Sequence, residues 1–207
     1  MWALVEDNQI TKIINKPKGL VIGDTRHSRK IFEYWSKEEK EAIGIYEVIF
    51  DNSNKKDEEY YINTNQSFDY SDGEVIASYG SATPKALTDI LWTQEDSDNE
   101  DLPDNKEIGD VKVEGLKTKH KRIIKRKASG LLTPTDWYVL KATDVAEYSV
   151  PSEVSTFRTN VRTRSNEMET AIDNASDVDA LKTLYEYTEQ ADGSFARPLG
   201  EFPTLEI

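Results

Sequence analysis

Through the first eighty residues apolar and polar positions alternate in short runs; beyond residue 110 the apolar positions recur every three or four. Alternation marks a strand with one buried face, and the wider spacing marks a helix with one buried stripe. Trp2–Glu6 and Gln9–Ile14 flank Asp7-Asn8, which predicts an opening hairpin with a tight turn. Residues 15–28 read as loop, broken by Pro17, Gly19 and Gly23, with Leu20-Val21-Ile22 as a short apolar strand. Ile31, Phe32, Tyr34 and Trp35 form an aromatic-rich patch. Ser36 and Glu39 match a capping box, so a short helix should run to about Ala42 and end at Gly44. Residues 45–50, 59–63, 66–70 and 74–79 read as strands, the last two joined by a Ser71-Asp72-Gly73 turn. Thr83-Pro84 has the form of a helix start, with Ala86, Leu87, Ile90 and Leu91 on one face and Trp92 nearby.

Residues 93–110 carry eight Asp and Glu residues and few apolar ones. Such a stretch buries too little surface to offset its ordering entropy, so it reads as a linker. The charge then reverses. Lys112, Lys117, Lys119, Lys121, Arg122, Lys125, Arg126 and Lys127 surround Val113, Leu116, Ile123, Ile124 and Ala128, a basic helix that Gly130 should stop. Leu131-Leu132-Thr133-Pro134-Thr135-Asp136-Trp137-Tyr138 reads as a turn that plants an aromatic where two helices meet. Val150, Val154, Phe157, Val161, Met168 and Ile172 share a stripe with Ser165, the clearest helix in the chain, its start marked by Pro151 and its end by Asp173-Asn174. Another helix follows from Ser176-Asp177, with Val178, Leu181, Leu184 and Tyr185 on one face. Beyond Asp192 the chain should be irregular, strapped down by Phe195, Leu199 and Phe202. The predicted class is α+β: a β-rich module over 1–92 that is mainly antiparallel with a short helix, an acidic linker over 93–110, a three-helix module over 111–190, and an irregular segment over 191–207.

Composition narrows the chemistry. A hydrophobic share of 37% supports a core only because the apolar positions are patterned, and 10% aromatics supply much of the buried area. The chain has no cysteine, which removes disulfides, thiol nucleophiles and zinc–cysteine sites and fits synthesis in a reducing cytoplasm. No apolar run approaches the roughly 18 residues of a membrane span, and the first residues lack the basic and apolar regions of a signal peptide. A net charge of −13 disfavours nucleic acid and anionic membranes and points to a protein partner.

Candidate catalytic groups are sparse. His27 lies in a polar stretch and His120 within the basic helix, where each reads as a surface or helix-face residue. Neither has a ligand or triad partner at a usable spacing. No phosphate-binding glycine pattern occurs, and the acidic stretch lacks the order of a calcium loop. The basic helix lacks the interleaved aromatics that would stack on single strands. No cofactor is expected. Trp137 reads as a core residue covering the helix junction, in which case truncation to Ala would cost about 3–5 kcal/mol. The competing reading makes it an interface anchor. Asp136 reads as a cap.

The order of basic helix, Leu131-Leu132, Thr135-Asp136-Trp137, Val150-Pro151 and then Phe157-Arg158-Thr159-Asn160-Val161-Arg162 resembles the phage tail assembly chaperone family found among tail-fibre assembly proteins. That family shows an LLxxTDW signature followed by a YRxxLR-type motif. Here Phe157 stands at the aromatic position, Arg158 and Arg162 match the two arginines, and Val161 replaces Leu. The match covers about residues 115–175. Residues 1–79 also resemble N-terminal segments of marine phage tail proteins. The resemblance implies a non-enzymatic tail accessory protein that binds a tail or tail-fibre protein during assembly in the host cytoplasm. The alternative is a structural virion subunit of the tail, baseplate or fibre adaptor. A homo-oligomer is compatible with either. The residues it puts forward for partner binding are Leu132, Asp136, Trp137, Phe157, Arg158 and Arg162.

Overall fold

The computed structural model describes residues 1–205. It is a mixed α+β protein whose chain divides into two compact units, Met1–Thr83 and a second that begins at Pro84. The division falls ahead of the acidic stretch that the sequence marks as a linker.

In the first unit β1 (Trp2–Glu6) and β2 (Gln9–Ile14) form the expected hairpin. Asp7 and Asn8 both take positive φ (51° and 61°), the conformation that a two-residue turn between twisted strands demands. The loop-like stretch after it folds into a second small hairpin, β3 (Leu20–Ile22) with β4 (Thr25–His27). The aromatic patch is a helical turn, α1 (Ile31–Tyr34), and α2 (Lys37–Glu41) carries the capping box on Ser36 and Glu39. Gly44 follows at φ 79°, and a Cβ there would meet the Val5 carbonyl oxygen at 2.4 Å, so only glycine fits. After β5 (Ile45–Asp51), the two-residue β6 (Tyr61–Ile62) precedes the hairpin of β7 (Gln66–Ser71) and β8 (Glu74–Tyr79).

The main sheet runs β2-β1-β5-β8-β7. All its pairings are antiparallel except β5 with β8, which the long 52–73 connection leaves parallel. The edge strands β2 and β7 approach each other, so the sheet curls around one of its faces. Ala3, Val5, Val48, Val75 and Ala77 fill that face. Leu4, Ile14 and Ile45 line the other, against Leu20, Ile31 and Phe32 from the small hairpin and α1. The alternation of the strands is thus used on both faces.

The second unit opens with a departure from expectation. Thr83-Pro84 starts no helix: it forms the two-residue strand β9 (Thr83–Pro84), and β10 (Ile90–Leu91) pairs with β11 (Val111–Val113). The reason lies downstream. The carbonyls of Ala86 and Leu87 accept the Leu116 and Lys117 N–H groups (2.9 and 3.0 Å), and the Asp89 carboxylate accepts from Gly115 N–H (2.7 Å) and the Thr118 hydroxyl (3.0 Å). Residues 86–89 thus cap the next helix from outside, in place of forming one.

The acidic stretch between β10 and β11 is also structured. Thr93 and Asp96 make a capping box on α3 (Gln94–Asp98). Trp92 N–H donates to Asp110 (2.9 Å) and Gly109 N–H to Trp92 (2.8 Å), so both ends are pinned together.

The basic helix α4 (Leu116–Leu132) runs through Gly130, where a Cβ would meet nothing, and stops only at a 3-10 turn, Thr133–Thr135, built on Pro134. The chain then enters α5 (Asp136–Asp144), a helix that begins inside the 131–138 stretch read as a turn and takes the helical of the two courses open to Tyr138-Val139-Leu140. The long α6 (Ser152–Asn174) packs on α4 and buries six of the seven residues of the predicted stripe; the seventh, Val150, lies ahead of the helix and is half-buried. α7 (Val178–Thr183) is capped by Asp177, within the Ser176-Asp177 pair at which the sequence predicts the helix start. A small hairpin, β12 (Thr188–Glu189) with β13 (Phe195–Ala196), precedes a final strap. Leu199 is 2% exposed and Phe202 packs on the α4–α6 core, as expected of strap residues, whereas Phe195 stands 67% exposed.

Candidate partner-binding site

An open groove of about 530 Å³ runs where the end of α4 and the 3-10 turn face the first half of α6. Its wall on α4 is set by i, i+4 spacing: Lys125, Ser129 and Thr133, with Leu132 beside them. On α6 it is Arg158, Arg162 and Asn166, again one turn apart. Asp136, the first residue of α5, closes one end. Four of the six residues put forward by sequence, Leu132, Asp136, Arg158 and Arg162, meet here.

Arg158 is the hub. Its side chain is only 11% exposed. Its Nη1 donates to the Leu132 carbonyl (3.0 Å) and the Thr135 hydroxyl (2.5 Å) and pairs with the Asp136 carboxylate (2.8 Å). Thr135, itself buried, donates to the same Leu132 carbonyl (2.7 Å). One guanidinium therefore satisfies a carbonyl that the helix end leaves open and fixes the angle at which the chain leaves α4. Asp136 acts through this ion pair, where the sequence suggests a helix cap.

Arg162 is different. It is solvent-exposed, and among the described residues its side chain makes one bond, to the Arg158 carbonyl (3.3 Å). Lys125 across the groove pairs with Glu169 (3.3 Å). The groove thus offers one internally neutralised arginine and one that faces outward.

Trp137 is not the buried indole of the junction. It is 50% exposed on α5, stacked against Tyr138 (centroids 3.8 Å apart), and α4 and α6 pack on each other without it. The residue that fills the junction is Phe157, 6% exposed between Ala128 and Val161 and covered by Phe202 and Leu205. Neither Trp137 nor Phe157 lines the groove. α5 buries none of its residues, and Val139 and Leu140 are exposed along with Trp137.

His120, expected on the surface, is 2% exposed, its ring 4.9 Å from that of Tyr185. His27 lies edge-on to Trp35 (5.7 Å). Among the described residues no group of three or more His, Asp or Glu could hold a metal ion, and no helix is long and apolar enough to cross a membrane. Sequence reasoning overlooked Arg164, whose guanidinium donates to the Leu199 (2.8 Å) and Glu201 (3.1 Å) carbonyls. The only advance signal was its place one turn from the buried stripe. No protein-family model, curated protein or solved structure matches this chain.

Proposed function

We propose that this protein is a non-enzymatic bacteriophage tail accessory protein that binds a tail or tail-fibre protein and assists its assembly in the host cytoplasm. The supporting observation is that the Asp of the T-D-W signature and the first Arg of the second motif, 22 positions later, form an ion pair at 2.8 Å. Two motifs that resemble the family's are then two halves of one device. Arg158 and Asp136 hold the end of α4 at a set angle, which presents Trp137 and Leu140 on α5, and Arg162 in the groove, to a partner. Exposed Trp and Arg are the residue types that dominate binding energy at interfaces.

The test is co-expression with the neighbouring tail genes and capture through a tag on this chain. Recovery of one tail or tail-fibre protein, lost in Trp137→Ala and Arg162→Ala but not in a control surface variant, supports the reading. Recovery of none sinks it. Mass spectrometry of purified virions separates the two forms of the idea: stoichiometric copies in the particle favour a structural tail, baseplate or fibre-adaptor subunit over a transient chaperone.

A further inference from the structure

From Glu201 to Leu205 the chain forms no helix or strand, and Phe202 and Leu205 pack on the α4–α6 core. Arg164 grips it only by backbone carbonyls, those of Leu199 and Glu201, a hold that reads no sequence. Gly200 at φ 70° permits the close approach, since a Cβ there would overlap the Arg164 guanidinium. After Glu201 the character changes. Among the described residues, 202–205 make no hydrogen bond, and Phe202 and Leu205 alone hold this stretch by packing on Ala128, Phe157 and Val161.

An open surface groove of about 330 Å³ lies between Pro203, Thr204 and Leu205 and Ser152, Thr156 and Asn160 of α6. A second of about 320 Å³ lies on the other side of Phe202, toward Thr163 and Glu167. The strap thus lies between two solvent-open grooves. The strap packs on Phe157, one of the residues that the family resemblance marks for partner contact.

We infer that the α4–α6 surface under residues 202–205 is an extended-peptide site that the chain occupies with its own segment, and that a partner strand with an aromatic and an aliphatic anchor three residues apart displaces it. The strap shows what the surface takes: a ring and, three residues on, an aliphatic side chain, both packed on Ala128, Phe157 and Val161. The Arg164 fork supplies the backbone grip for any such strand. That the displacing strand belongs to a tail protein rests on the function proposed above; the site itself does not.

The probe is a fluorescein-labelled synthetic peptide of residues 199–205, added to the full chain and followed by anisotropy. The wild-type segment competes at the effective concentration of a short tether, in the millimolar range. The peptide should therefore bind Phe202→Ala/Leu205→Ala, and bind wild type at least about tenfold more weakly. A peptide in which the same Phe and Leu are Ala should bind neither. If the double variant loses its helical circular dichroism, Leu205→Ala alone serves the same readout, because it removes one anchor of the strap and leaves the Arg164 grip in place for the peptide. Binding to no folded variant would make the strap an integral part of the core and overturn the inference. Equal binding to wild type and variant would place the peptide elsewhere and overturn it too. Neither failure touches the tail-protein capture experiment, and failure of that capture leaves the peptide result intact.

Discussion

α5 and α6 are neighbours in sequence, and both offer apolar residues at helical spacing, yet α6 buries six side chains and α5 buries none. The difference is what each finds beside it. α6 lies along α4, whose Ile124 and Ala128 complete its stripe, whereas α5 begins where the 3-10 turn carries the chain past the end of α4. A helix of nine residues is marginal in water without a packed face. Periodicity therefore reports that a helix has an apolar side, and the neighbouring element decides whether that side becomes core or contact surface.

The largest test of the contrast lies in α6. Ile172 is fully buried, so Ile172→Ala should cost about 2–5 kcal/mol in denaturant unfolding followed by far-ultraviolet circular dichroism. A loss below about 1 kcal/mol would mean that the stripe is not the core of this unit. Arg158→Ala should come next, about 1–3 kcal/mol, because it leaves the Leu132 carbonyl and the buried Thr135 hydroxyl short of a donor. Its second effect should be a change in α5 alone, seen as shifted amide resonances for residues 136–144. If α5 is unmoved, Arg158 does not set the exit angle.

Trp137→Ala sharpens the comparison from the other side. A buried indole would give about 3–5 kcal/mol, and the half-exposed ring observed here should give less than about 1 kcal/mol. A large loss would show that α5 packs in solution after all. Capture of the partner should fall while stability holds, which separates a contact residue from a core residue.

These outcomes bear on what the sequence could say. The α6 stripe was legible nearly residue by residue, since six of its seven positions are buried and only Val150 falls ahead of the helix, and so were the Ser36 capping box and the two tight turns, which depend on neighbours within four residues. The meeting of Leu132, Asp136, Arg158 and Arg162 was legible only through the family resemblance. Residues 84–91 misled, because Thr-Pro followed by apolar residues at helical spacing meets every local criterion for a helix. What overrides it is Asp89 reaching Gly115, 26 positions on. Trp137 misled because a large aromatic beside two amphipathic helices belongs in the core by composition, and only the angle set by Pro134 and Arg158 turns it out. The acidic stretch misled because its order comes from backbone bonds that pin its two ends together, from side-chain bonds to its own backbone and from a lysine beyond it.

That lysine gives the smallest effect. Lys112 Nζ pairs with Asp96 at 2.5 Å and lies 4.5 Å from the centre of the Trp92 ring. The Lys112 ammonium, followed by the Thr93 N–H and hydroxyl, holds the Asp96 carboxyl at about 2, below its ordinary 3.8. A folded value under the unfolded one means that the anchor's contribution is present above the unfolded value and is lost as pH falls from there through about 2. The Asp96 side chain is 16% exposed and its partners are Thr93 and Lys112, so the consequence is local: the acidic excursion loosens while the α4–α6 core stays closed. The Trp92 indole resonance should titrate toward the bottom of that window, and Asp96→Asn should remove the transition. A midpoint near the ordinary carboxylate value would mean that the lysine is not holding the excursion, and the linker expected from composition would then be the better description of this stretch.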